Sequence, residues 1–409
     1  MTGFHPTRRQ TLVLGAGLLA TPFVLRRAHA QTDAIRIGSL TPNTGGGSPF
    51  GPEIAEAHRL VVDLVNRNGG VNGREIVLIQ ENSETNPEVA VRAARKLIDA
   101  DRVIAILGTW SSSVTLGIMP LCQEANVLQF CTSSSESIPK GDAKGLVFDF
   151  QPLNPAWGKA LARLALARGF DKIAVMGINN DFTTSMISTF GESLEAGGGK
   201  VVNEPFLYNP GQASYRAEVE RLIADSPPAV FIPSYVTDFT AVYREIYRSG
   251  YQGQVITISL STGPKFKEAI GEAANGILHG FPVPPIGKDT YNAYLRFVGV
   301  EPNGQVQNPF GCAGYDQANT LLLAIASAGT LDTKTIAEHM LRISNEPGLR
   351  VSTYAEGAEA LKAGTEIAYD GASSSVDFQP DGMLRSRDFE LYEIKDGKDV
   401  SIERITSES

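Results

Sequence analysis

The chain has 409 residues, 42% hydrophobic and 20% charged, which excludes a disordered protein and calls for more than one ordinary domain. With 45 acidic against 36 basic residues the formal charge is −9, and no Lys/Arg-rich block occurs in the body of the chain, so nucleic acid is not an expected partner. Three cysteines without paired C-x-x-C spacing exclude a disulfide scaffold and a structural zinc.

Residues 1–30 carry four arginines and no acid. Leu12 to Leu25 is apolar, too short for a membrane span, and Ala28-His29-Ala30 is a small-x-small cleavage pattern. Thr7-Arg8-Arg9-Gln10-Thr11-Leu12 is similar to a twin-arginine export signal, although Thr11 stands where that signal has Phe. The general secretory route stays open beside it. The segment is expected to be an export signal cleaved after Ala30, which leaves a periplasmic chain of charge −13. Gly15-Ala16-Gly17 follows no strand, so it is not a dinucleotide loop.

From Ala34 short apolar runs alternate with amphipathic ones. Ala34–Leu40 reads as a buried strand. A helix opens at Pro52, with Ile54, Ala57, Val61, Leu64 and Val65 at helical spacing, and closes at Gly69-Gly70. Strand Glu75–Glu81, helix Pro87–Ala100, strand Val103–Leu107, helix Ser112–Glu124 and strand Val127–Cys131 follow. The rhythm restarts with helix Pro155–Arg168, strand Lys172–Gly177, helix Thr183–Ala196 and strand Val201–Leu207. It continues with helix Ser214–Ala224, strand Ala229–Ile232, helix Asp238–Ser249 and strand Gln254–Ile258. Helices near Thr290–Val298 and Gly314–Ala328 precede a C-terminal hairpin turning at Lys395-Asp396-Gly397-Lys398. Repeated βα units imply an α/β protein of two doubly wound lobes, joined near 150 and 283. Ligands of such sheets sit beyond the carboxyl ends of the strands, which makes the inter-lobe cleft the expected site.

Three polar loops leave strand ends in the first half: Gly45-Gly46-Gly47-Ser48-Pro49-Phe50-Gly51, Gly108-Thr109-Trp110-Ser111-Ser112-Ser113 and Cys131-Thr132-Ser133-Ser134-Ser135. Serine at a helix start is first of all a cap. The free N–H groups and partial positive charge there also suit a carboxylate, so Ser111 and Ser112 are candidate anion holders. Neither the first glycine run nor Gly197-Gly198-Gly199-Lys200-Val201 has the Gly-Lys-Ser/Thr of a phosphate loop, and both read as turns. His58, His279 and His339 are scattered, without H-E-x-x-H, so neither metal nor cofactor is expected. No G-x-S-x-G occurs and no histidine stands near a candidate nucleophile, so the chain does not read as an enzyme.

Over roughly 34–400 the chain resembles type I periplasmic binding proteins of the branched-chain amino acid (leucine/isoleucine/valine-binding) family. The resemblance rests on Ile35-Arg36-Ile37-Gly38, Asn68-Gly69-Gly70-Val71-Asn72-Gly73-Arg74, Gly108–Ser113, Gly314-Tyr315-Asp316-Gln317-Ala318 and Val376-Asp377-Phe378 with Asp381-Gly382. It implies a Venus-flytrap fold with three crossovers, near 150, 283 and 385. Lobe 1 is then 34–150 plus 284–384, and lobe 2 is 151–283 plus 385–409. It also implies a monomer that closes on a small carboxylate, nominally a branched-chain or related amino acid, and presents it to a membrane ABC permease.

By the same resemblance Ser111 binds the ligand carboxylate. The Thr132 carbonyl and the Ser134 hydroxyl meet an ammonium, and Phe50, Phe182, Tyr235 and Phe310 form an aromatic wall. Three positions depart from the family. Ser259, beside Leu260, stands where an acid pairs with the ammonium, leaving Asp181 or Asp238 as substitutes. Trp110 stands where the amino acid binders have a small residue, and either shrinks the pocket or stacks on a planar ligand. Thr85 and Trp110 stand where some members have a disulfide. An aromatic or other organic acid, or an amide, is therefore the alternative ligand class, and a sensor feeding a membrane receptor the alternative role.

Overall fold

Strand formation follows the buried apolar runs. The computed structural model describes residues 34–408, so the export signal read over 1–30 lies outside the described residues. In chain order the strands are β1 (Ile35–Thr41), β2 (Ile76–Asn82), β3 (Ala105–Thr109), β4 (Leu128–Cys131), β5 (Val147–Asp149), β6 (Lys172–Ile178), β7 (Lys200–Val201) and β8 (Phe206–Tyr208). Then come β9 (Ala229–Phe231), β10 (Gln254–Ile258), β11 (Leu278–Val283), β12 (Leu349–Val351), β13 (Ile367–Tyr369), β14 (Ser386–Lys395) and β15 (Lys398–Glu408).

One parallel sheet runs in the order β2-β1-β3-β4-β5. The other runs β15-β14-β11-β10-β9-β6-β7, with β8 beside β6. Its β11, β14 and β15 pair antiparallel, and the rest pair parallel. Both sheets carry helices, and the chain passes between the two lobes three times. It leaves β5 for helix Asn154–Ala167, leaves β11 for helix Asp289–Phe297, and enters β14 just after the Phe378–Leu384 bridge. This is the expected fold class, two wound lobes joined by three crossovers. Among the described residues no helix is long and apolar enough to cross a membrane.

Several elements differ from the sequence pattern, each for a local reason. The strand expected over Val201–Leu207 is two short strands, β7 and β8. Between them Asn203 replaces the ladder, accepting from the Val175 amide at 2.7 Å and donating to the Val175 carbonyl at 3.0 Å. Pro205 beside it has no N–H to donate. Helix Pro87–Arg95 passes into a wider turn over Lys96–Ala100 instead of continuing regularly. The helix expected from Gly314 begins at Gly311. Helices Thr333–Ser344 and Tyr354–Lys362, and the β12–β13 pair, lie where the sequence pattern marks no element. The C-terminal hairpin turns where its Asp-Gly predicts, with Asp396 at φ 49° and Gly397 at φ 70°, both left-handed.

The first lobe packs its core between its sheet and helices Gly51–Arg67 and Gly311–Ala328. The core of the second lobe includes Trp157, Phe190, Phe231 and Phe239, and it also takes in Trp110 and Phe310 from first-lobe elements. Apolar packing therefore continues across the cleft, which is where the polar strand-end loops converge.

Candidate functional site: a cleft divided by an aromatic wall

The serine loops sit where β3 and β4 end. Ser111 is the residue before helix Ser112–Ala125, yet its side chain makes no capping hydrogen bond. Its hydroxyl instead meets that of Tyr235, which begins helix Val236–Ser249 of the second lobe. The Ser112 hydroxyl accepts from the amides of Ser134 and Ser135, both at 3.3 Å, which stitches the two loops together. Ser134 accepts from the Trp157 indole N–H at 3.2 Å, and its carbonyl accepts from the Asn154 amide at 2.7 Å. Across the cleft, the amide of Asp181 donates to the Ser113 hydroxyl at 3.2 Å. Contacts between the lobes at this level describe a nearly closed cleft.

The aromatic residues meet as one wall. The Trp110 ring lies 5.7 Å from Phe50, 5.2 Å from Tyr235 and 5.9 Å from Phe310, centroid to centroid. Phe50 and Phe310 meet edge to face at 4.9 Å. Each such pair contributes about 1 kcal/mol beyond simple burial. The glycine run that reads as a turn has a packing reason as well. A Cβ on Gly46 would stand 2.9 Å from the Tyr235 ring, and one on Gly47 would stand 2.8 Å from the Trp110 ring. The backbone lies flat under both rings because those positions have no side chain.

This wall divides the cleft. An inner cavity of about 20 Å³ is lined by Trp110, Ser112, Thr132, Ser134, Phe182, Tyr235 and Phe310 among others, and has room for roughly one water. An outer cavity of about 510 Å³ includes Phe50, Trp110, Tyr235 and Ser259, and its size suits a small organic ligand. Of the ten residues expected to touch the ligand, Ser111 alone lines neither. Asp181 and Asp238 line neither as well. Asp181 is exposed, and the Asp238 carboxylate accepts from the Gly211 amide at 2.7 Å and from the Tyr215 hydroxyl.

Residue types and spacing missed several groups. Gln151 and Trp157 line the inner cavity, and two buried oxygens on its lining residues, Thr132 Oγ1 and Gln151 Oε1, have no hydrogen-bond partner. Such atoms are costly unless something pairs with them. Glu53, in the first turn of helix Gly51–Arg67, lines the outer cavity; burial pushes its carboxyl up to about 7, and its Oε2 has no partner. A histidine does stand beside a candidate hydroxyl, contrary to expectation. Ser259 Oγ lies 2.7 Å from His279 Nδ1, and His279 Nε2 lies 3.0 Å from Asp399 Oδ1. The register of neighbouring parallel strands makes this contact, pairing Ile258 of β10 with Gly280 of β11. Sequence order could not reveal it.

The three cysteines, Cys122, Cys131 and Cys312, are free and buried. Burial raises all three thiols, Cys122 and Cys312 up to about 12, so none is a reactive thiolate. Among the described residues no group of three or more His, Cys, Asp or Glu could hold a metal.

Residues 34–399 match the family model described as periplasmic binding protein. The chain is 23% identical to the Leu/Ile/Val-binding protein BraC3 of Rhizobium johnstonii, over 95% of this chain and 99% of that one. It superposes on the leucine-binding protein LivK of Thermotoga maritima with a TM-score of 0.74, at 22% identity, covering 91% and 99% of the two chains. A solute-binding protein of an ABC transporter from R. palustris, solved with benzoate, gives a TM-score of 0.72 at 18% identity, covering 92% and 97%. At these identities the structural likeness is one of fold.

Proposed function

This chain belongs to the periplasmic binding protein family, and on that premise we propose that it is exported and captures one small carboxylate between its lobes for a membrane ABC permease. The observation that carries this reading is the pair of unpartnered oxygens on Thr132 and Gln151, buried on residues that line an inter-lobe cavity. Beside them the first turn of helix Ser112–Ala125 points its amides and partial positive charge at the cleft, which suits a carboxylate. With the aromatic wall parted, so that the inner cavity of about 20 Å³ opens into the outer one of about 510 Å³, Ser111 and Ser112 hold the anionic end, Thr132 and Ser134 meet donors on the ligand, and Phe50, Trp110, Phe182, Tyr235 and Phe310 enclose its body.

Lobe 1 is 34–150 with 284–384, and lobe 2 is 151–283 with 385–409; the strand order of the two sheets supports that division. The carrier acts as a monomer and binds without chemistry. A branched-chain or related amino acid is the first ligand class, and Glu53 supplies the acid that sequence spacing failed to place. Trp110 at the centre of the wall favours a second class, the aromatic acids, because its indole offers a planar face. Benzoate is the ligand of one protein of similar fold. A thermal-shift screen of the mature chain with both classes tests the reading. A strong stabiliser in either class supports it, and silence in both overturns it.

A further inference from the structure

The outer cavity has a polar corner on the second-lobe side. Ser259, Tyr392 and Asp399 all line it, and His279 lies directly behind, 1% exposed. Ser259 directly follows β10, His279 lies within β11, and Asp399 lies at the start of β15, so three strands of one sheet bring the corner together.

The hydrogen-bond directions in this corner are fixed by elementary chemistry. A carboxylate only accepts, so the His279 nitrogen 3.0 Å from Asp399 carries the ring proton. Lys267 Nζ, 2.5 Å from the other Asp399 oxygen, favours the ionised carboxylate. Burial of the ring disfavours a second proton on it. Nδ1 then has only a lone pair, and the Ser259 hydroxyl 2.7 Å away must donate to it. With its one proton committed, Ser259 Oγ has only lone pairs left for the cavity. The Tyr392 ring stacks on the imidazole at 5.1 Å and 21°, which holds the ring plane.

We propose that His279 and Asp399 are positioning residues that hold Ser259 as a hydrogen-bond acceptor on the outer cavity wall, so that the ligand presents an N–H or O–H donor there. The proposal rests on the small-carboxylate reading above and sharpens it: besides its carboxylate the ligand carries an N–H or O–H donor. A carboxylate with a purely aliphatic or unsubstituted aromatic body leaves the Ser259 lone pairs facing apolar atoms, which is unfavourable. What is selected is the donor.

The test is a pair of affinity ratios measured by calorimetry on the mature chain. Leucine is compared with 4-methylpentanoate, which lacks the amino group, and 4-hydroxybenzoate is compared with benzoate. In at least one pair the donor-bearing member binds about tenfold or more tightly, the scale of one hydrogen bond to a site built for it. Ser259→Ala lowers that ratio severalfold while the other member of the pair keeps its affinity. Asp399→Asn, which frees the imidazole to change tautomer, lowers the same ratio, and a merely structural role would weaken both members alike. Unfolding curves of the two variants confirm the fold is kept. Binding without donor preference, or a preference that Ser259→Ala leaves undiminished, overturns this inference alone. Failure of all four compounds to bind overturns the carboxylate reading and the inference with it.

Discussion

The guanidinium of Arg387 donates to the carbonyl oxygen of Phe150 at 3.2 Å, and these two residues lie on different crossovers between the lobes. The same side chain donates to the carbonyl of Val283, on the remaining crossover, at 3.3 Å. One buried arginine, 3% exposed, therefore ties together all three strands of chain that a hinge would bend. Burial draws its pKa down from the usual arginine value, and the nearby acids Asp316 and Asp388 pull the other way.

Replacing Arg387 leaves two crossover carbonyls short of a donor in a dry place. We expect Arg387→Met to destabilise the protein by about 3 kcal/mol, read as a lower urea midpoint with unchanged slope. Arg387→Lys, which keeps the charge but loses the planar fork, falls between. An Arg387→Met midpoint equal to the wild type would show that the tie carries no stability.

Asp149 predicts a pH signature. Burial raises its carboxyl to about 8, although it accepts from the amides of Ser133 at 3.2 Å and Gln151 at 3.0 Å. Its folded pKa lies above the unfolded value of about 4, so the unfolded chain releases this proton first. Stability therefore falls as pH rises from about 4 to about 8 and is flat above. Asp149→Asn keeps an acceptor oxygen and removes the titration. The wild type should lose more stability than this variant between pH 5 and pH 8, measured by urea unfolding. His58, lowered to about 4 by burial, acts oppositely below its unfolded pKa, which is why the comparison is made against the variant. Parallel curves would contradict the assignment.

The chain has two tryptophans, Trp110 and Trp157, and both line the inner cavity. Intrinsic fluorescence therefore reads the site without a label. Ligand should shift the emission, and Trp110→Phe should remove a large part of the change. A ligand that binds by calorimetry but leaves the emission of the wild type untouched would place binding elsewhere.

Ser111 makes no capping bond, and its hydroxyl meets that of Tyr235, a single contact that a ligand carboxylate would replace. Ser111→Ala should change stability by less than about 1 kcal/mol while weakening carboxylate binding roughly tenfold. Unchanged affinity would return Ser111 to a role in positioning Tyr235.

The βα alternation was legible because each strand is short, apolar and bounded by Gly, Pro or polar residues, and the helices carry a clear 3.6 period. Ser112, Thr132 and Ser134 were legible for a related reason: they follow strand ends, where wound sheets bind ligands. The break at Asn203 was not, since it depends on a side chain mimicking a strand against Val175. Gln151 and Trp157 sit just past a crossover and carry no local mark. Ser259, His279 and Asp399 span far too much sequence to be seen together, and only the pairing of β10, β11 and β14–β15 unites them. Trp110 was visible as an anomaly, but its part in dividing the cleft needed the positions of Phe50, Tyr235 and Phe310.

A cleft that holds a carboxylate must distinguish an acid from its uncharged ester. Calorimetric titration of the mature chain with the best stabiliser from the screen, and with the methyl ester of that compound, measures this. We expect one site per chain for the acid, and for the ester a loss of affinity of at least about a hundredfold, the scale of a charge-assisted contact. An ester that binds as tightly as its acid would contradict it.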